Sequence, residues 1–309
     1  MNAGTIVVGL VNNMPDAALQ ATERQFRDLL SAAAGGRALD LRVFSFPDLI
    51  RADAATQYVQ DHYEHIGKLW DSRVDGLIVT GTEPRAPTLA QETYWPSLTR
   101  LIDWAEGNTK STIWSCLAAH AAVAHLDGVE RQPFESKLSG VFECAKTGDD
   151  AILAGMPDRW RVPHSRQNTL PAKPLVDAGY TILSSSADIG VDMFARRRES
   201  LFLFLQGHPE YDAGALLREY QRDITRYVTG KSERYPEMPR GYLSGDMAEA
   251  FCAFRRSAMC HRSADALARL PSTEVEPAQP WRDPGVRLYS NWLSHLSSHL
   301  SSHLSSHVL

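Results

Sequence analysis

Apolar residues along this chain follow two alternating periods. Thr5 to Val11 is a short, continuous, β-branched run that reads as a buried strand. Asn12 to Asp16 carries turn chemistry, and Ala17 to Ala33 then spaces Leu19, Phe26, Leu29 and Leu30 along one helix face. Leu39 to Phe46 alternates apolar and polar positions as a second strand, and a helix is predicted around Gln57 to Leu69. Val74 to Gly81 reads as a buried strand ending in glycine, with a helix from about Tyr94 to Glu106 after it. A further strand stops at Cys116, where an Ala-rich helix begins at once. Strands and helices alternating at these lengths predict an α/β fold, a mostly parallel sheet with helices on both faces.

The second half is richer in strands: Lys137 to Glu143, Tyr180 to Ser186, Val191 to Ala195 and Leu201 to Leu205. Asp212 to Thr229 then reads as a helix. After about Gly230 the character changes. Ser232 to Pro239 is polar and proline-bearing, Gly245 to Leu270 is compatible with helix, and Pro271 to Pro284 reads as flexible. The expected organisation is a main domain over 1–230, a partly helical C-terminal extension over 231–293 and a low-complexity tail over 294–309. In the Leu-Ser-Ser-His repeats, His295, His299, His303 and His307 have a spacing at which a helix could align metal ligands. With no acidic or cysteine ligand beside them, the preferred reading is a repeat expanded by slippage, and no metal is expected.

The chain has 309 residues, 43% of them hydrophobic, enough for one large core or a core plus an appendage. A net charge of −5 with scattered Lys and Arg leaves no basic stripe for nucleic acid. No apolar run approaches a membrane span, and the N-terminus lacks a signal-peptide pattern. The four cysteines have neither metal-type nor disulfide-type spacing, which fits a reducing, cytoplasmic setting where a thiol stays usable.

One of those thiols carries the candidate chemistry. Cys116, between an apolar strand and a helix, has the setting of a nucleophile elbow. A thiol at a first helical turn feels the positive end of the dipole and unpaired N–H groups, both of which favour thiolate. The Leu117 amide could form half of an oxyanion hole, and the Gly81-Thr82 turn could supply the other half. His208 follows a buried strand, and Glu210 two residues on could fix the tautomer that turns the other ring nitrogen to the thiol. Taken alone, Cys116 reads first as a small buried hydrophobe and His208 as a turn histidine; the elbow setting and the later His-Pro-Glu reverse that reading. His120 and His125 are competing bases, but both lie within the helix after Cys116.

The order Cys, then His-x-Glu, on this strand pattern resembles the class I glutamine amidotransferase-like (flavodoxin-like) fold. Within it, the chain resembles the homoserine O-acyltransferases of methionine biosynthesis, usually called homoserine O-succinyltransferases. The segments that carry this are Gly9 to Pro15, Asp75 to Gly81, Tyr94-Trp95, Lys137 to Phe142, Pro163 to Arg166, Gly207 to Asp212 and Glu219 to Asp223. A shorter match lies in Leu288 to Leu293. The resemblance covers about residues 5 to 230, with a further match near 281 to 293.

The resemblance implies an acyl group carried on Cys116, with His208 as base and Glu210 orienting it. Lys137, Ser165 and Arg222 fall at positions like the family's substrate-binding residues, where a cation suits an amino-acid carboxylate. The implied substrates are L-homoserine and an acyl-CoA, succinyl-CoA or acetyl-CoA, with no bound cofactor; a homodimer is implied too. Two segments depart from the family pattern. The elbow reads Cys116-Leu-Ala-Ala-His120 in place of Cys-Trp-Gly-Ala-Gln, and the acyl-selecting loop reads Thr82-Glu-Pro-Arg85. Arg85 there could pair with the free carboxylate of a succinyl group. An insertion from about Leu243 to Ala278 is also unlike the family. Three alternatives stay open: the same triad acylating serine or another hydroxy amino acid, a glutamine amidotransferase-type hydrolase, and a non-catalytic ligand-binding relative.

Overall fold

The computed structural model describes residues 4–243, 245–272 and 278–298. The chain begins with β1 (Ile6–Val11), α1 (Asp16–Ala34), β2 (Leu39–Ser45), α2 (Asp53–His62), β3 (Glu64–His65), α3 (Gly67–Trp70) and β4 (Gly76–Val79). It continues with α4 (Trp95–Asn108), β5 (Ser111–Ser115), α5 (Leu117–Asp127), β6 (Gln132–Lys146), β7 (Arg159–Thr169), α6 (Ala172–Asp177) and β8 (Thr181–Ser186). The last elements are β9 (Gly190–Arg197), β10 (Leu201–Leu205), α7 (Ala215–Val228), α8 (Gly245–Cys260) and α9 (Arg282–Ser298).

All ten strands form one sheet in the order β3-β2-β1-β4-β5-β10-β9-β8-β6-β7. From β3 to β10 neighbouring strands are parallel; from β10 to β7 they are antiparallel. The run β2-β1-β4-β5-β10 is the doubly wound order of a flavodoxin-like sheet. Successive strand residues point to opposite faces, so the period-two pattern sorts the core. In β10, Leu201, Leu203 and Leu205 join Ile113 and α1 on one face, while Phe202 and Phe204 join Trp114, α4 and α5 on the other.

The predicted helix over Gln57 to Leu69 is broken in two. Tyr63 turns inward to Asn12, and Glu64 leaves the helix to pair with Arg42 of β2 at 2.7 Å. β7 was not anticipated, and the segment read as flexible, 271–284, holds the fully buried Trp281. The boundary drawn at residue 293 falls inside α9. That helix packs on α1 and β1 rather than standing apart: Leu288, Tyr289, Trp292, Leu293 and Leu296 share the core of the main sheet. Trp292 Nε1 donates to Ser111 Oγ at 2.9 Å, and Gly76 leaves room, since a Cβ there would lie 2.8 Å from both Trp292 and Leu296. α8, in the segment read as an insertion, packs on α7 in a third apolar cluster. His299, His303 and His307 lie outside the described residues.

Candidate active site

The sheet brings Cys116 and His208 together although they are far apart in sequence. β5 and β10 are parallel neighbours with Ser115 opposite Leu205, and Cys116 N donates to Leu205 O at 2.7 Å. Both chains therefore leave the sheet side by side at its C-terminal edge, where open α/β sheets place their sites. Cys116 is half-buried, with φ 52° and ψ −114°. Among the described residues it is the one non-glycine with positive φ. Such backbone costs about 1–3 kcal/mol and persists where its surroundings enforce it. The first helical bonds of α5 run from Ala119 N and His120 N to Cys116 O, which leaves the amides of Leu117 and Ala118 ahead of them.

His208 Nδ1 lies 2.8 Å from Glu210 Oε1, and the ring lies within electrostatic reach of the Cys116 thiol. Burial alone would lower the His208 pKa, but the charges of Glu210 and Cys116 outweigh it and raise the value well above the ordinary one. Both His208 and Glu210 are buried. Below them, Gly207 is packed so closely that a Cβ would meet Val162 at 2.4 Å, His164 Nε2 at 2.8 Å and Asp192 Oδ1 at 2.9 Å. His164 Nε2 and Asp192 Oδ1 are 3.1 Å apart without hydrogen-bond alignment, and Ser184 Oγ donates to the other Asp192 oxygen at 2.7 Å. With Cys144 these two form the one metal-type grouping among the described residues, their ligand atoms within 4.8 Å, fully enclosed beneath the histidine loop. The Pro209–Tyr211 backbone is held from the C-terminal side: Trp281 Nε1 and Gln279 Nε2 each donate to Tyr211 O at 2.8 Å.

The competing histidines are engaged elsewhere. His120 Nε2 pairs with Gln206 Oε1 at 2.9 Å, and burial drops its pKa to about 3, so the ring is neutral. His125 pairs with Asp103 at 2.8 Å.

Lys137 on β6, Ser165 on β7 and Arg222 on α7 converge on the carboxylates Glu219 and Asp223 of α7. Lys137 Nζ lies 3.1 Å from Glu219 and 2.7 Å from Asp223; Ser165 Oγ donates to Glu219; Arg222 lies 3.0 Å from Asp223. Burial would raise the Glu219 pKa, but Lys137, Arg222, Ser165 and Tyr211 together hold it down to about 2. Tyr211 joins this cluster to the triad: its hydroxyl donates to Glu219, and its ring stacks on His208 at 4.2 Å. The i, i+3 and i+4 spacing of Glu219, Arg222 and Asp223 was the available signal.

Gly81 lies against the elbow, where a Cβ would stand 3.0 Å from the Leu117 nitrogen. Thr82 follows it and lines a cavity of about 190 Å³ with Asn13, Glu92 and Tyr94. Arg85 is exposed on the rim of that cavity, its amide donating to Glu92 Oε1 at 2.6 Å. Glu83 next to it is bound by Arg226 of α7 through two 2.8 Å hydrogen bonds.

A family model described as homoserine O-succinyltransferase matches residues 2–302. The chain belongs to the homoserine O-succinyltransferase family. It is 49% identical to a homoserine O-succinyltransferase of Rhodopseudomonas palustris over 96% of this chain and 89% of that one. It is 46% identical to one of Bradyrhizobium japonicum over 94% and 90%. Family likeness therefore runs through the C-terminal third, beyond the residues that carried it in the sequence. A solved glutamine amidotransferase from Methylobacillus flagellatus shares the fold, with TM-score 0.51, 12% identity and 94% coverage of both chains. Among the described residues, no helix is long and apolar enough to cross a membrane.

Proposed function

We propose that this protein transfers the acyl group of succinyl-CoA to the γ-hydroxyl of L-homoserine through a thioester on Cys116, the entry step of methionine biosynthesis. The observation that carries this reading is the Cys116–His208–Glu210 arrangement on adjoining parallel strand ends in a chain of this family. In the first half-reaction Cys116 sulfur attacks the thioester carbonyl, and CoA leaves as its thiol with the proton held by His208. The Leu117 and Thr82 amides receive the developing oxyanion. In the second, His208 takes the proton of the γ-hydroxyl, the alkoxide attacks the Cys116 thioester, and the thiolate is released. Glu210 keeps the imidazole in one tautomer through both halves.

The acceptor site follows from charge. Lys137 and Arg222 supply two cations, Glu219 and Asp223 two anions, and Ser165 a hydroxyl between them. A charge-balanced cluster of this kind matches a zwitterion, with an ammonium and a carboxylate to place. Arg85 on the cavity rim meets the anionic donor as it enters, and acetyl-CoA is the competing donor. A homodimer, from the family resemblance, and a cytoplasmic setting, from the cysteine usage, belong to the same reading. Initial rates with succinyl-CoA and homoserine both varied should give parallel double-reciprocal lines. Intersecting lines, faster acylation of serine, or ammonia release from glutamine would each sink the assignment.

A further inference from the structure

A buried side-chain contact ties the elbow to the histidine loop, apart from the triad itself. His120 lies one helical turn beyond Cys116, and its amide donates to Cys116 O at 3.3 Å. Its ring reaches Gln206 Oε1 at 2.9 Å. Gln206 stands two residues before His208 and follows Leu205, whose carbonyl accepts from Cys116 N at 2.7 Å. These bonds close a circuit from the nucleophile through the first turn of α5 to the end of β10 and back.

The direction of the contact is fixed by its neighbours. Gln206 Nε2 donates to Val191 O at 2.7 Å, so Oε1 is the atom turned to His120. Arg166 Nη1 and Leu170 N, which can only donate, reach the same oxygen at 3.1 Å each. An amide oxygen only accepts, so His120 Nε2 carries the ring proton. Its Nδ1 has no hydrogen-bond partner among the described residues, and the Nε2 edge makes the ring's bond. His120, Arg166 and Gln206 are all buried, where water does not replace a lost partner.

Gln206 is the fixed end of this contact, since Val191 of β9, Arg166 of β7 and Leu170 all hold its amide. What His120 locates is therefore α5, and with it the elbow. We propose that His120 is a positioning residue, which anchors the elbow helix on Gln206 and thereby sets the Cys116 sulfur against His208. This rests on the reading of Cys116 as acyl carrier and His208 as base. Reacting groups tolerate little displacement, and a shift of about 1 Å costs about 100-fold in rate.

Glutamine offers the same donor, because its Nε2 lies four bonds from Cα, as does Nε2 of histidine. Leucine fills the space without a donor, and asparagine ends one bond short. The test is single-turnover loading of Cys116 by saturating succinyl-CoA, read by intact mass, with steady-state kcat and KM beside it. The final amount of adduct counts competent enzyme, so the rate per site is separated from the fraction folded. His120→Leu should load about 30-fold more slowly to the full amount, with the homoserine KM within about threefold of wild type. His120→Gln should load within about threefold of wild type. Wild-type loading in His120→Leu, a loss seen only in the amount of adduct, or equal slowing in both variants would overturn the inference. If His120→Leu does not fold, the glutamine and asparagine variants decide: fast loading in the first and slow in the second supports the inference, and equal rates overturn it. A wild type that takes no acyl group at all overturns the acyl-carrier reading as well, so the two failures are distinguishable.

Discussion

The parallel and antiparallel halves of the sheet do different work. The parallel half sets the nucleophile and the base side by side through its backbone: β5 and β10 end together, and the chain leaves each strand on a fixed path. The antiparallel half contributes side chains. β6 supplies Lys137, β7 supplies Ser165 and the props His164 and Val162, and β9 supplies Asp192. One half is organised by hydrogen-bond register and strain at Cys116, the other by charge balance around Glu219. Changes in the first should therefore act on acyl transfer to and from sulfur, and changes in the second on recognition of the acceptor.

The largest effect tests the parallel half. Cys116→Ala should lower kcat by at least about 10⁴-fold and remove the acyl-enzyme, as measured by steady-state rate and mass. His208→Asn should cost about 10²–10⁴-fold in kcat/KM for both half-reactions. On the antiparallel side, Lys137→Met should raise the homoserine KM about 10- to 100-fold while leaving the rate of Cys116 acylation unchanged. A comparable fall in acylation would break the division between the halves.

Smaller effects concern stability. Glu219 titrates at about 2 in the folded protein against an ordinary 4.5. Its contribution is therefore present above about pH 4.5 and lost as pH falls toward 2. Glu219→Gln should flatten the loss of stability across that window in denaturant titrations at stepped pH; an unchanged slope would deny the coupling. Trp281→Phe removes one hydrogen bond to Tyr211 O and should cost about 1 kcal/mol, seen as a small drop in thermal midpoint.

The same division explains what was legible in the sequence. Parallel strands are buried on both faces, so β1, β4, β5 and β10 stand out as unbroken apolar runs, and the elbow follows from where β5 stops. β7 is written Arg-Trp-Arg-Val-Pro-His-Ser-Arg, with charges and a proline, and gave no strand signal although it carries Ser165. α9 escaped because its core residues Trp292, Leu293 and Leu296 run into the Leu-Ser-Ser-His repeat, and a composition-based reading merges the two. Lys137, Ser165 and Arg222 were named from family resemblance, while the carboxylates that gather them needed the fold.

The central claim is that Cys116 carries the acyl group between the two substrates. Intact mass after mixing with succinyl-CoA tests it most directly. The account predicts one added succinyl group on Cys116, absent in Cys116→Ala and discharged by L-homoserine with formation of its O-succinyl ester. No adduct during turnover, or an adduct that persists in Cys116→Ala, would contradict it.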